Sequence, residues 1–412
     1  MLGNGTARAT WRGAWWLCSG LSLRAVTFLR AVTLLGAVTF LVVTLGSGPA
    51  QADDTTPPNG GSSGSESGWL LSSGALRPEM AAASVVPALA NRLGLATLGT
   101  TFNRSADFGP GSFCVDDNNN MPRKAAAAPR AQASSEACNS FVWGRLFGET
   151  GSLGGGPANG AFGRYGPASY FSQAGVVTGG DLYRTSRDKI GLFGSAATAT
   201  ATVNGAAGGT LGMNQYGVGG YWSHRDPGGW YSDLALQGSR YENLRSSANA
   251  GPLQNSSGWG VAASAETGYV ALLGQGYSVI PQAQLIYQRI DLGGILTPLG
   301  GVLFAPTDDY YGRVGARFNR VWQTTGGCAV STWAETNIWH QFGDTRTSFV
   351  NQDGSNPINL GASLGGTWAQ IGLGISGQLS RNWSMFGSAD YNIAFSQPGH
   401  SLGGRAGIRL AW

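Results

Sequence analysis

From Phe141 to the carboxyl terminus the chain alternates apolar and polar positions with a period of two, which in an extended strand sends the two sets to opposite faces. The last segment shows this most clearly. Trp412, Leu410, Ile408, Ala406, Gly404 and Leu402 fall on one face, while Arg409 and Arg405 fall on the other. Twelve segments follow the rule, at about 141–149, 171–184, 188–202, 213–225, 230–241, 258–273, 277–291, 310–323, 329–341, 367–380, 383–395 and 401–412. Each has at least the roughly 9–11 residues that a tilted membrane-spanning strand needs. Connections after the odd-numbered strands are mostly long, such as 150–170, 242–257 and 343–366. Those after the even-numbered strands are tight, such as Asp226-Pro227-Gly228-Gly229, Gly274-Gln275-Gly276 and Arg381-Asn382. Long loops on one side and short turns on the other are the layout of an outer-membrane barrel. The predicted fold is all-β, a twelve-stranded antiparallel transmembrane β-barrel over 141–412, with both ends of the barrel on the short-turn, periplasmic side.

The charged residues within these strands keep mostly to one parity. Arg145, Asp233, Glu266, Arg313, Arg317 and Glu335, with Arg405 and Arg409, alternate with apolar or small residues. A cation facing lipid at the bilayer midplane costs about 2–4 kcal/mol, so these side chains are expected to line a mixed, water-filled lumen that they hydrate and brace. Arg320 breaks the pattern near a strand end.

Before the strands the pattern is helical. Arg77-Pro78-Glu79 opens an Ala/Leu-rich stretch to about Arg104, and a proline at the first turn beside an acid is a good helix start. Pro87 is expected to kink or split the helix. Arg77, Glu79, Asn91, Arg92, Asn103 and Arg104 make it too polar for lipid but suited to a polar pore, where its cations could pair with Asp233, Glu266 and Glu335. Residues 53–76 are Gly/Ser-rich and read as a flexible linker.

Composition supports the barrel: 67 Gly and 10% aromatic residues against only 12% charged is not the balance of a disordered chain. At the N-terminus, Arg8, Arg12, Arg24 and Arg30 precede an apolar run from Ala31 to Leu45, and Ala50-Gln51-Ala52 offers a small-x-small cleavage site. Residues 1–52 therefore read as an export signal. Those four arginines account for the whole +4 net charge, so no basic patch and no nucleic-acid partner is expected of the exported part. No other apolar stretch of spanning length is expected after the signal. Cys18 belongs to the signal. Of the remaining cysteines, Cys114 and Cys138 are the candidate disulfide within the insertion 105–140, with Cys328 left free. No metal-ligand spacing accompanies them, and no cofactor is implied.

Residues 76–100, L-R-P-E-M-A-A-A-S-V-V-P-A-L-A-N-R-L-G-L-A-T-L-G-T, resemble the linker helix of autotransporters, the type V secretion proteins. F-V-W-G-R-L-F-G-E at 141–149 resembles their first barrel strand, and the terminal G-I-R-L-A-W their assembly signal. The resemblance covers about four fifths of the chain. It implies a helix threaded through the pore, an N-terminal passenger carried to the cell surface, a monomeric barrel among outer-membrane lipids, and assembly through periplasmic chaperones and the barrel assembly machinery, with Trp412, Leu410 and Ile408 as the recognised end. Only about 24 residues separate signal from helix, too few for a passenger with its own core, so the passenger is expected to be absent or vestigial. Some members cleave the passenger inside the pore by an asparagine-based reaction. Asn91 is followed by Arg92, not a second asparagine, so that activity is not carried over and no enzyme is expected. The competing readings are a free-standing channel or structural barrel, and an outer-membrane hydrolase using His340 with Asp344, or His400, at the outer mouth.

Overall fold

The computed structural model describes residues 68–70, 72, 77, 79–101 and 141–411, apart from 155–157, 160–161, 164–166, 204–208, 249–250, 253–255, 325–327, 344, 363–365, 381 and 397. Twelve antiparallel strands close into a barrel: β1 (Phe141–Leu153), β2 (Ser169–Arg184), β3 (Asp188–Val203), β4 (Gly209–Arg225), β5 (Trp230–Ala248), β6 (Ser256–Tyr269), β7 (Tyr277–Leu292), β8 (Thr307–Gln323), β9 (Ala329–Gln341), β10 (Thr367–Gln378), β11 (Trp383–Ala394) and β12 (Gly399–Ala411). Each strand pairs with its sequence neighbours. The seam is β12 against β1, running from Phe141 opposite Ala411 to Leu153 opposite Gly399. Closure leaves no strand edge unpaired in the wall, the requirement for any sheet in lipid.

The parity is as expected. Leu146, Val218, Leu236, Leu285, Val314 and Leu373 point outward and are exposed, while Trp143, Arg145, Phe147 and Arg317 point inward and are buried. Outward aromatic pairs ring both ends: Trp230 with Tyr269 and Tyr277 with Phe318 at the short-turn end, and Tyr287 with Tyr310 at the long-loop end. Arg320, the exception, lies outward at the short-turn rim with its guanidinium 4.9 Å from the Tyr277 ring centroid. Turns at that rim are tight because the backbone permits it. Gly276 has φ +81°, and a Cβ there would meet the Val321 carbonyl oxygen at 2.1 Å.

Among the described residues one helix runs inside the barrel, α1 (Glu79–Thr101). Pro87 does not split it. A helix-interior proline costs about 3 kcal/mol, but Met80, Leu89, Leu93 and Leu98 are all fully buried by the surrounding wall, and this packing overrides the local preference. At 1.5 Å per residue the helix reaches about 35 Å. Its stretch Met80–Thr101 is also long and apolar enough to cross a membrane, which corrects the expectation that no such stretch follows the signal. Here it is sheathed by protein.

At the long-loop end, the β7–β8 and β9–β10 connections fold over the mouth as a four-stranded sheet, Ile295–Thr297, Gly300–Phe304, Thr345–Val350 and Ile358–Ala362. Gly300 has φ +138°, and a Cβ there would collide with the Val350 carbonyl oxygen at 2.2 Å. Trp69 is buried in this sheet. Its indole N–H donates to the Val350 carbonyl at 2.8 Å and its ring meets Phe349 edge-on at 5.0 Å. The Arg77 amide donates back to the Trp69 carbonyl at 2.9 Å. At least Trp69 within the linker stretch is thus packed, not loose. Two long-side connections are short, Val203 to Gly209 and Ala394 to Gly399.

Cys328 is disulfide-bonded, which corrects the expectation that it is free; its partner lies outside the described residues. The Cys114–Cys138 pairing, the signal with Ala50 and Ala52, Pro78 and Trp412 also lie outside them.

Candidate functional site

The site is the lumen and the helix that fills it. α1 packs chiefly against the inner faces of β1–β5 and β7 and, through its N-terminal half, the outer sheet. Polar residues fix its depth. Arg92 forms an ion pair with Glu149 of β1, donates to the Ser401 hydroxyl of β12 at 2.7 Å, and lies 4.5 Å from the Phe171 ring centroid. Gln173 donates to the second Glu149 oxygen at 2.7 Å. Thr97 donates to Gln215 at 3.3 Å and accepts from Gln237 at 3.2 Å. At the lower end, Arg145 donates to the Thr100 carbonyl at 2.9 Å and to that of Thr101. The last carbonyls of a helix lack intrahelical partners and carry partial negative charge, so Arg145 caps the helix from the barrel wall.

The helix is also held by close approach. At Gly94 a Cβ would lie 2.5 Å from the Gln288 amide nitrogen and 2.9 Å from the Tyr241 hydroxyl, and that hydroxyl donates to the Ala90 carbonyl at 3.4 Å. Asn91 is fully buried. Its side-chain nitrogen donates to Asp309 at 3.4 Å, and its main-chain carbonyl accepts from Gln288 at 3.2 Å. Asp309 in turn accepts from the Tyr311 hydroxyl at 2.8 Å, the Gly343 amide at 3.0 Å and the Gln341 side chain.

The rest of the wall carries its own ion pairs. Arg313 meets Glu266 at 2.6 Å, Arg317 meets Glu335 at 2.6 Å, and Arg405 meets Asp390 at 2.7 Å. Tyr231 also donates to Glu266, at 3.0 Å. Asp233 is buried opposite Glu266 in register. Arg409 donates to Ser384 at 3.1 Å at the short-turn end. All eight lumen residues expected from parity therefore line the inner face. The expected helix-to-wall pairs differ: Glu266 and Glu335 are taken by barrel arginines, and Arg92 finds Glu149.

The same parity places their partners on the inner face. Glu149 shares the register of Arg145, Asp309 that of Arg313, and Asp390 lies opposite Gly403 on the inner face of β12. The glutamines, being neutral, leave no charge signal in the sequence. Of the candidate acid–base groups at the mouth, His340 bonds Thr367 at 2.8 Å and His400 bonds Ser152 at 3.0 Å, while Asp344 lies outside the described residues.

Residues 142–390, more than half the chain, match the family description "Autotransporter beta-domain". The chain belongs to this family. Over 207 residues it is 28% identical to the pertactin autotransporter of Bordetella bronchiseptica, covering 47% of this chain and 21% of that protein. Over 236 residues it is 25% identical to the adhesin BmaC autotransporter of Brucella suis, covering 54% of this chain and 7% of that one. The chain thus spans about a fifth or less of the length of these relatives. Among solved structures it resembles the β-domain of the Bordetella autotransporter BrkA, with TM-score 0.51 and 21% identity over 66% of this chain and 100% of that one. It also resembles the translocator domain of NalP from Neisseria meningitidis, with TM-score 0.56 and 11% identity over 81% and 99%. An autotransporter β-domain is a barrel of the bacterial outer membrane, and in such barrels the longer loops are extracellular. A cysteine placed at Ser355 is expected to react with an impermeant maleimide on intact cells, and one at Gly228 to react only after the envelope is broken. The reverse pattern would invert the barrel.

Proposed function

We propose that this autotransporter β-domain serves as a translocator, holding in its pore the stem of a polypeptide that emerges at the cell surface. The observation that carries this is α1, a helix inside the lumen whose N-terminus meets the outer sheet and whose C-terminus is capped by Arg145 near the periplasmic end. Such a helix is oriented as the trailing end of a chain led outward. Export through an N-terminal signal, assembly through periplasmic chaperones and the barrel assembly machinery acting on Ile408, Leu410 and Trp412, and a monomeric state in outer-membrane lipid belong to the same proposal. An epitope inserted between residues 60 and 61 is expected to be detected on intact cells and shaved by external protease while the barrel stays heat-modifiable. An epitope seen only after lysis would remove the translocator reading in favour of a channel or structural barrel.

The environment of Asn91 supports a second reading, cleavage of the stem within the pore. The Asn91 side-chain nitrogen attacks its own main-chain carbonyl carbon and passes a proton to Asp309. Gln288 donates to the oxygen where negative charge develops, the role of an oxyanion donor. The bond to Arg92 breaks, the Arg92 amine leaves with a proton, and a succinimide closes on the released fragment. No second asparagine is needed. Under this reading the outer-membrane barrel begins at Arg92 on N-terminal sequencing, and Asp309→Asn, which removes the general base, slows cleavage by about 10²–10⁴-fold. A wild-type barrel that still carries residues upstream of Arg92 would exclude it.

A further inference from the structure

The lipid-facing wall carries a feature that translocation does not use. A groove of about 580 Å³ crosses the outside of the barrel from β5 to β9, within the roughly 300–1,000 Å³ typical of small-molecule sites. Its floor is made of the outward residues with least bulk, Ala265, Ala283 and Gly312, and Leu285 and Val314 stand beside them. Register makes it continuous. Leu234 lies opposite Ala265, Ala265 opposite Leu285, Leu285 opposite Gly312, and Gly312 opposite His340. Four strand spacings of about 4.8 Å give a length of about 19 Å.

The groove is inclined. On β5 it is formed by Ser232 and Leu234, just past the short turn that precedes Trp230. On β9 it ends at His340, next to the last residue of the strand on the long-loop side. Its β9 end therefore lies toward the cell surface. His340 is a polar side chain on the outward face at the long-loop rim, where the apolar surface meets water. Nδ1 bonds the Thr367 hydroxyl at 2.8 Å, and the ring stands edge-on to Phe342 at 4.6 Å. In the tautomer whose Nδ1 accepts from the Thr367 hydroxyl, Nε2 carries the N–H and is open to an acceptor beside the groove.

We infer that this groove is a binding site for one acyl chain of an outer-leaflet lipid, with the carbonyl or hydroxyl near the head of that chain accepting from His340. The inference rests on the outer-membrane placement of the barrel but not on translocation. Outward parity makes lipid the solvent of this surface, apolar lining selects hydrocarbon, and the polar group at the outer end sets which way the lipid lies. Lipid A, the acylated lipid of the outer leaflet, is the committed occupant.

Native mass spectrometry on the folded chain, stripped of lipid in detergent and titrated with purified lipid A or with phosphatidylethanolamine, tests this. The expected result is one lipid A adduct that survives collisional activation and is several-fold less occupied in the filled variant Ala265→Leu/Ala283→Leu and in His340→Ala. Ala334→Leu, on the same lipid-facing surface outside the groove, should keep it. Equal occupancy in the filled variant, or phosphatidylethanolamine binding as well with the same dependence on His340, would overturn the assignment. Heat-modifiability of every variant confirms that the barrel is folded, so loss of the adduct reports on the groove and not on assembly.

Discussion

Deleting residues 79–101 is expected to turn a nearly sealed barrel into a conducting pore. An α-helix with its side chains is about 10–12 Å across, and a twelve-stranded barrel with a polar lumen leaves a conducting path once such a cylinder is removed. Little of the wall's own cohesion is lost with it. The ion pairs Arg313–Glu266, Arg317–Glu335 and Arg405–Asp390 lie entirely within the strands, and the seam between β1 and β12 is made by backbone hydrogen bonds along the whole of β1. In planar bilayers the deleted form should therefore show a conductance several-fold above that of the intact chain, while still assembling and remaining heat-modifiable. Glu149 loses Arg92 and Arg145 loses the helix carbonyls it caps, so the open pore keeps lumen charges of both signs. Unchanged conductance would mean that the helix does not occupy the pore in the membrane.

The second large effect concerns Arg317 and Glu335. They face each other in register across β8 and β9, and two guanidinium nitrogens donate to one carboxylate oxygen at 3.1 and 2.6 Å. Their side chains are only 8% and 12% exposed. Removing one partner of a buried pair leaves a desolvated charge and costs about 3–5 kcal/mol, whereas replacing both with apolar residues is often neutral or stabilising. Arg317→Leu and Glu335→Leu should each lower the temperature at which the folded band is lost on heating, by a large margin. The double variant should recover most of it. A double variant that melts at the sum of the single losses would mean that the two residues act independently.

Strand number, strand position and the inner and outer faces were legible because the bilayer imposes a strict rule on every second residue. That rule separates Leu410 and Ile408 from Arg409 and Arg405 without knowledge of the fold. Pairing inside the lumen was less legible. Whether Arg92 meets Glu149 or Glu266 depends on the depth of the helix, which Gly94 against Gln288 and Tyr241 and the Arg145 cap decide in three dimensions. The outer sheet was not legible at all. Its strands come from two connections some forty residues apart, each too short to show a period, and their pairing appears only when the barrel brings the connections together. Trp69 was hidden by its neighbours, since a lone aromatic among glycines and serines carries no pattern of its own. The bonded state of Cys328 is not legible in the sequence, because counting thiols says nothing about which of them meet.

The Trp69 contact has a mechanical consequence. Under the translocator reading, a pull on the chain upstream reaches Trp69 before it reaches the helix. The indole is held by the Val350 carbonyl and the Phe349 ring in a sheet whose strands connect directly to β7–β10. Force is thereby diverted sideways into the barrel rim, and the Arg92–Glu149 pair and the Arg145 cap below carry load only after that first anchor has torn free.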